Sequence, residues 1–334
     1  MMQHAARNPR RSGSLLVITL WLITILSVFA VAIARHLSLE IRLTKRRLAR
    51  EQAIAMAHSG VYLAMQRLSR DAAVPEADGQ SYDWLGDDWA VMSAAGTPDP
   101  STWTIPFGLQ GSTRFQGTVT IHITDEERKL NVNTVAEPVL STLLELAGAP
   151  ADLARPILDD IDPDEEPPSE TPPYAPKNAP MAAIEELLEV PGTAPMFSKL
   201  ERVLTASAEA TVPPTVNINT AERDVLLALG GDPGVVEALI TSRPGIDGRL
   251  GTEDDCRATD MVRAAADLSA CALGGDEVRV ASLLGLPTAT FTVHSSAFRI
   301  QVDAVVEPQQ VQRHVEAIAQ RTDDQLRLLS WRER

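Results

Sequence analysis

The chain has 334 residues, 44% of them hydrophobic, and a formal net charge of −15; that is enough for an anchor plus one or two folded units with a true core. The charge is uneven: residues 1–50 hold nine Lys/Arg and one Glu, so they carry +8 and the remainder −23. A body that acidic repels phosphate backbones and suits hard cations or basic protein surfaces, and two cysteines, Cys256 and Cys271, exclude a disulfide-dense scaffold while permitting one bridge in an oxidising compartment.

Residues 1–13 are basic, with Arg7, Arg10 and Arg11 and no acid, and no charge follows until Arg35. The stretch LLVITLWLITILSVFAVAIA at 15–34 holds about 20 residues, which at 1.5 Å each cross the ~30 Å hydrocarbon core. It is longer than a secretory h-region and no A-x-A site follows it, so it reads as an anchor. Residues 35–70 lack Pro, and Ile54, Val61, Met65 and Leu68 recur at spacings of three, four and seven, which continues the helix. Ala57 and Gly60 are small enough for that helix to lie close to a sheet. Span and stalk together run over 14–70, roughly 55 residues or about 80 Å, with 14–34 in the membrane. Residues 35–50 carry six basic residues and one acid, and the positive-inside rule alone would keep the body in the cytoplasm. The leader, the later motifs and the cysteine pair favour export, and export is the expectation.

Residues 71–100 are rich in Pro and Gly and read as loop, with Trp84 and Trp89 expected to cover the helix. TWTIPF at 102–107 and RFQGTVTIHIT at 114–124 alternate as half-buried strands, with His122 on the polar side. From 129 to 287 the pattern is helical with Pro-rich breaks and an internal echo: KLNVNTVAEPVLSTLLELAG (129–148) and TVNINTAERDVLLALGG (215–231). Each has N-x-N-T, an amphipathic helix and a closing Gly, with Asn or Thr as expected N-cap. A third helix is expected over 178–192. TATFTVHSSAFRIQVDAVVE (288–307) and QQVQRHVEAIAQRT (309–322) form a strand pair broken at Pro308, leaving 323–334 as a tail.

The sharpest chemical motif is G-I-D-G-R-L-G-T-E-D-D-C at 245–256. Its glycines let carbonyls and carboxylates converge, and Ca²⁺ takes six to eight oxygens. The candidate ligands are Asp247, Glu253, Asp254 and Asp255, with carbonyls of 249–252 completing the shell; a solvated acidic turn is the alternative. The spacing is not that of an EF-hand. Cys256 abuts this loop 15 residues before Cys271, and a bridge there contributes roughly 3 kcal/mol in the chain-entropy model. No H-E-x-x-H, P-loop, zinc spacing or G-x-S-x-G is present in the sequence, so no enzyme is expected.

The basic leader R-R-S-G-S-L-L-V-I resembles a type IV prepilin leader, which implies cleavage between Gly13 and Ser14, methylation of the new Ser14 terminus, and retention of the apolar helix. Most members have Glu as fifth mature residue; here it is Ile18, a departure shared by the K minor pseudopilins of type II secretion systems. With K-L-N-V-N-T, Y-A-P-K-N-A-P-x5-E-L-L at 174–188 and S-S-A-F-R-I near the end, the chain resembles that family over nearly its whole mature length. The resemblance implies an α+β fold: a long transmembrane/stalk helix packed on a small antiparallel pilin-like sheet (71–128 and 288–322) with a large inserted α-helical domain (129–287), SAM-like or helix-hairpin-helix-like. It implies calcium in the loop above and a second site for which Asp159, Asp162 and Asp164 are candidates, with a flexible Pro-rich acidic loop as the alternative there. It also implies a single-pass inner-membrane protein with a periplasmic body, capping the pseudopilus tip. The expected partners are the minor pseudopilins I and J, with H, the major pseudopilin G, prepilin peptidase and the inner-membrane assembly platform. Two other readings stay open. One is a type IV pilus or competence minor pilin binding DNA through the hairpin unit, where Arg223 and Arg243 stand against Glu222, Asp224, Asp232 and Glu237. The other is an anchored periplasmic enzyme.

Overall fold

A computed structural model describes residues 12–73, 82–91, 102–107, 116–163, 176–206, 213–322 and 325–333. Most of the leader (residues 1–11) and Asp164 lie outside them. Helix α1 (Ser12–Ala73) has 62 residues, roughly 90 Å at 1.5 Å per residue, and starts two residues before and ends three after the expected 14–70. Its first half presents Leu15 to Leu43 to the outside on every face, and it is long and apolar enough to cross a membrane. Its second half is one-sided. Ala49, Ala53, Met56, Ala57, Val61, Ala64 and Leu68 are buried at spacings of three and four, one stripe of a 3.6-residue helix.

That stripe lies on a sheet. A short helix α2 (Asp88–Val91) precedes strands β1 (Thr102–Phe107) and β2 (Gln116–Asp125). After a long excursion the chain returns as β7 (Ala297–Glu307), β8 (Val311–Thr322) and β9 (Gln325–Glu333). The sheet order is β1-β2-β7-β8-β9, antiparallel throughout. Alternation puts Val119, Ile121 and Ile123 of β2, Phe298, Ile300, Val302 and Ala304 of β7, and Val315, Ala317 and Ala319 of β8 under the helix, as a period of two requires. Ile121 faces Val302, which faces Val315. The expected tail is in fact the fifth strand. Its alternating exposure, with Leu326, Leu328 and Trp331 packed on the core, carries the pattern that charged residues in between obscure.

The excursion, residues 126–296, leaves from the end of β2 and re-enters at the start of β7, two strands paired side by side from Asp125↔Phe298 to Gln116↔Glu307. It occupies the place of a hairpin loop, where inserted chain need not disturb the sheet. In chain order it holds β3 (Leu130–Asn131), α3 (Glu137–Leu146), α4 (Ala154–Ile161), α5 (Phe197–Val203), β4 (Leu204–Thr205), β5 (Thr215–Asn217), α6 (Arg223–Ala228), α7 (Pro233–Ser242), α8 (Ala264–Ala272), α9 (Glu277–Leu284) and β6 (Thr290–Thr292). Its apolar core, including Leu130, Leu140, Ile157, Leu187, Val225 and Val280, is distinct from the helix–sheet core. Trp89 covers α1 as expected, but Tyr82 and Trp84 belong to the insertion's core. The helix expected over 178–192 is only a 3-10 turn, Ile184–Glu189, because Pro180 and Pro191 confine it.

Candidate functional site

The two N-x-N-T motifs build equivalent halves of the insertion. In each, the first Asn closes an Asx turn: Asn131 Oδ1 accepts from Asn133 N at 3.0 Å and Asn217 Oδ1 from Asn219 N at 2.9 Å. The second Asn clamps a distant backbone in both directions. Asn133 holds Met181 O and N at 2.9 and 2.8 Å, and Asn219 holds Ala258 O and N at 2.9 and 2.8 Å. Each half then closes with a two-strand parallel pair, β3–β4 and β5–β6. The expected helix capping by Asn or Thr is not what these residues do. The N-caps are Ala136 and Glu222, without side-chain bonds, because the amides are engaged in tying the halves together.

Where the insertion meets the sheet, the boundary is polar. Asp125, the last residue of β2, accepts from Ser295 Oγ at 2.6 Å and from the Thr220 hydroxyl. Burial, with the charge of Asp83 adding to it, pushes its carboxyl up to about 6. Glu127 accepts from Ser296 N at 2.6 Å, and burial followed by the charge of Asp125 pushes it up to about 8. Glu126 behaves oppositely: burial opposes its charge, but Lys129 and Arg299, both donating to it at 2.9 Å, hold it well below the usual carboxylate range. A cavity of about 210 Å³ opens beside this net, lined by His122, Thr124, Arg128, Lys129 and Arg299 among others. Three of its cations are engaged: Arg128 pairs with Glu222 at 3.0 Å, and Lys129 and Arg299 share Glu126. The arrangement is a joint that fixes two cores, built from charges paired with each other. Arg332 of β9 adds a second tie by pairing with Glu185 of the insertion.

The acidic loop 245–256 joins α7 to α8. Gly245, Gly248 and Gly251 have φ of +62°, +69° and +88°, where a side chain is strained. Asp254 Oδ2 accepts from Ile246 N at 2.6 Å and Asp247 N at 3.1 Å, Asp255 Oδ2 from Gly251 N at 2.7 Å, and Asp247 Oδ1 from Arg249 N at 2.7 Å. The Thr252 hydroxyl, with the backbone amides of Asp247 and Ile246, holds the Asp254 carboxyl below its usual range. Thr252 Oγ1 faces three acceptors: Arg249 O at 3.1 Å, Asp254 Oδ1 at 2.8 Å and Asp255 Oδ1 at 3.2 Å. One hydroxyl proton serves one of them. The other two oxygens form, with it, an oxygen-only donor set that fits a hard cation. Glu253 is exposed and takes no part in this net. Cys256 and Cys271 are bonded, with Cα atoms 5.6 Å apart, fastening the loop to α8. Of the second candidate set, Asp159 is half-buried on α4, Asp162 is exposed just beyond it, and Asp164 is outside the described residues. Between Asp159 and Ile161, Asp160 is the buried acid, accepting from Lys177 N at 2.9 Å. Sequence reasoning missed another trio, Asp71, Asp83 and Asp87, in which one carboxylate oxygen from each lies within 4.8 Å of the others. Fifteen residues lie between the first and the last, so no linear motif signals them. The cations the DNA reading requires are occupied: Arg223 pairs with Glu237 at 2.9 Å and Arg243 donates to Ile218 O at 2.9 Å.

The assembled frame can be set beside known proteins. The chain superposes on one chain of the crystal structure of the GspK-GspI-GspJ complex from the enterotoxigenic Escherichia coli type 2 secretion system, with a TM-score of 0.60 and 20% identity. The two share a fold. The match covers 87% of this chain and 98% of that one. No family model matches the chain, and no curated protein matches it by sequence.

Proposed function

We propose that this chain is a minor pseudopilin of a type II protein secretion system, the K subunit, and a structural component without catalysis. The observation that carries the reading is a fold shared over nearly all of a secretion-complex chain, joined to an apolar helix half exposed on every side. Such a helix is anchored in the inner membrane until extraction, and then bonds to neighbouring helices in the fibre. The body stands in the periplasm. The partners are the minor pseudopilins I and J, with H and the major pseudopilin G below, after processing by prepilin peptidase and in contact with the assembly platform.

The position of the insertion supports a tip role. Asp71, near the end of α1, lies beside Asp83, whose Oδ2 accepts from Ser295 N at 2.7 Å where the insertion rejoins the sheet. The insertion therefore sits at the end of the stalk remote from its apolar half. A mass of that size there caps the fibre and helps to start its assembly. Calcium fits the loop at Asp247, Asp254 and Asp255, where its role would be to hold the turn rigid. Mass spectrometry of the chain isolated from its native membrane tests the reading. A mature terminus at Ser14, N-methylated, and co-purification with the I and J subunits are expected. An intact Met1 on a chain that captures neither subunit would refute it.

A further inference from the structure

The trio missed by sequence reasoning lies at the point where three parts of the molecule meet. Asp71 belongs to the last turn of α1, and Asp83 and Asp87 to the 82–91 segment that packs partly on the insertion and partly on the sheet. Asp83 and Asp87 are 2% and 3% exposed. Asp87 is held in place, its Oδ2 accepting from Trp84 N at 2.9 Å and from Trp89 Nε1 at 3.0 Å. Charged groups face the trio from several elements. From β8, Arg321 pairs with Asp83 and stands 3.7 Å from Asp71. From the end of β2, Asp125 adds further negative charge, felt between it and Asp83. Arg67, one turn earlier on α1, is directed to Asp88 at 3.1 Å.

A second observation is independent of the clustering. Asp83 Oδ1 is shielded from solvent and accepts no hydrogen bond, although Oδ2 of the same carboxylate accepts from Ser295 N and Arg321. A buried carboxylate oxygen without a donor is costly, and a bound cation removes that cost. All three donors are carboxylate oxygens, within 4.8 Å of one another, and Asp83 and Asp87 are buried; Ca²⁺ takes such a carboxylate shell, whereas Mg²⁺ keeps several of its waters.

We propose that Asp71, Asp83 and Asp87 form a calcium site that locks the end of the stalk helix to the base of the insertion. It is separate from the 245–256 loop and stands whether or not that loop binds calcium. The test is calcium counting by equilibrium dialysis on the full chain in detergent after chelator treatment. The wild type, Asp71→Asn, Asp83→Asn and the loop variant Asp254→Asn are compared. Asp71→Asn and Asp83→Asn should each bind one calcium fewer than the wild type, and Asp254→Asn should keep the site they lose. In the wild type and in Asp254→Asn, terbium should show tryptophan-sensitised emission from Trp84 and Trp89; Asp71→Asn should lose most of it. If Asp83→Asn does not fold, Asp71→Asn decides, since its side chain lies at the margin of the cluster with 13% exposure. An Asp71→Asn protein with native circular dichroism and an unchanged calcium count overturns the proposal, as does a wild type that binds no calcium.

Discussion

Gly60 offers the most direct test of how stalk and sheet are joined. A Cβ placed there would lie 2.6 Å from Val302 Cγ1 and 2.9 Å from Val119 Cγ1, closer than real Cβ contacts. Both valines are β-branched, with stiff χ1, and both are held in adjacent paired strands, so neither swings aside cheaply. Two opposing effects then set the outcome of Gly60→Ala. Alanine gains about 1 kcal/mol in helix propensity, and overpacking costs about 1–3 kcal/mol. The net is between neutral and about 2 kcal/mol destabilising. Gly60→Leu adds three more carbons to the same gap and should lose at least about 3 kcal/mol, or fail to fold. Val302→Ala removes the nearest methyl group and leaves that of Val119 in place. Alone it costs roughly 1–3 kcal/mol, but combined with Gly60→Ala it should recover about 1 kcal/mol as a favourable coupling. Urea unfolding of the full chain in detergent, followed by tryptophan fluorescence, reads all four, because Trp89 lies in this core. If Gly60→Ala raises stability by the full helix-propensity gain and Gly60→Leu matches the wild type, the helix does not lie this close to the sheet.

Three further outcomes follow from the same packing. Folded-state values of Asp125 and Glu127 lie above their ordinary ones, at about 6 and about 8, so both bind protons more tightly when folded and their contribution fades as pH rises from about 4 to about 8; Glu127→Gln should flatten the loss of melting temperature between pH 5 and pH 9, and an unchanged slope would rule the pair out as its source. The Cys256–Cys271 bridge closes a 15-residue separation and should contribute about 3 kcal/mol. Cys256→Ala/Cys271→Ala should therefore unfold at the urea midpoint of the reduced wild type and show no further response to reductant. Asn219→Ala leaves the buried N and O of Ala258 without their 2.8 and 2.9 Å partners. It should cost about 2–4 kcal/mol, with loss of amide-exchange protection concentrated around residues 256–259.

The sequence shows some of this plainly and hides the rest for identifiable reasons. The apolar run and the strands at 102–107 and 116–125 are visible because burial on one face imposes a period that chemistry reveals. The contact stripe of α1 is less visible. The eye goes to Ile54 and Met65, which are only half-buried, while the fully buried row is largely Ala49, Ala53, Ala57, Gly60 and Ala64, selected for closeness and not for hydrophobicity. Strand β9 is hidden by Arg327, Arg332 and Glu333 on an edge whose outward residues meet water. In the loop, composition alone points to cation chemistry at 245–256. It does not show that Asp254 and Asp255 each spend an oxygen on backbone amides, since those partners depend on the three left-handed glycines. The Asp71, Asp83 and Asp87 trio is invisible because it is assembled across elements.

The placement of the polar groups explains how so large an insertion coexists with a small sheet. Two apolar cores meeting across a greasy boundary would be free to slide, since dispersion and hydrophobic burial have little direction. Here the boundary is made of groups that fit in one arrangement only. Glu126 is shared by Lys129, Arg299 and Thr205, Asp125 is held by Thr220 and Ser295, and Asn217 reaches both Ser295 and Asp83 O. Breaking any of them leaves a buried partner unsatisfied. The insertion is thereby held in one orientation on the stalk. Force applied along α1 reaches the insertion through Asp71, Asp83 and Arg321 as well as through β2 and β7. Severing the side-chain route while the strands stay paired should leave the fold intact and loosen only the angle between stalk and insertion.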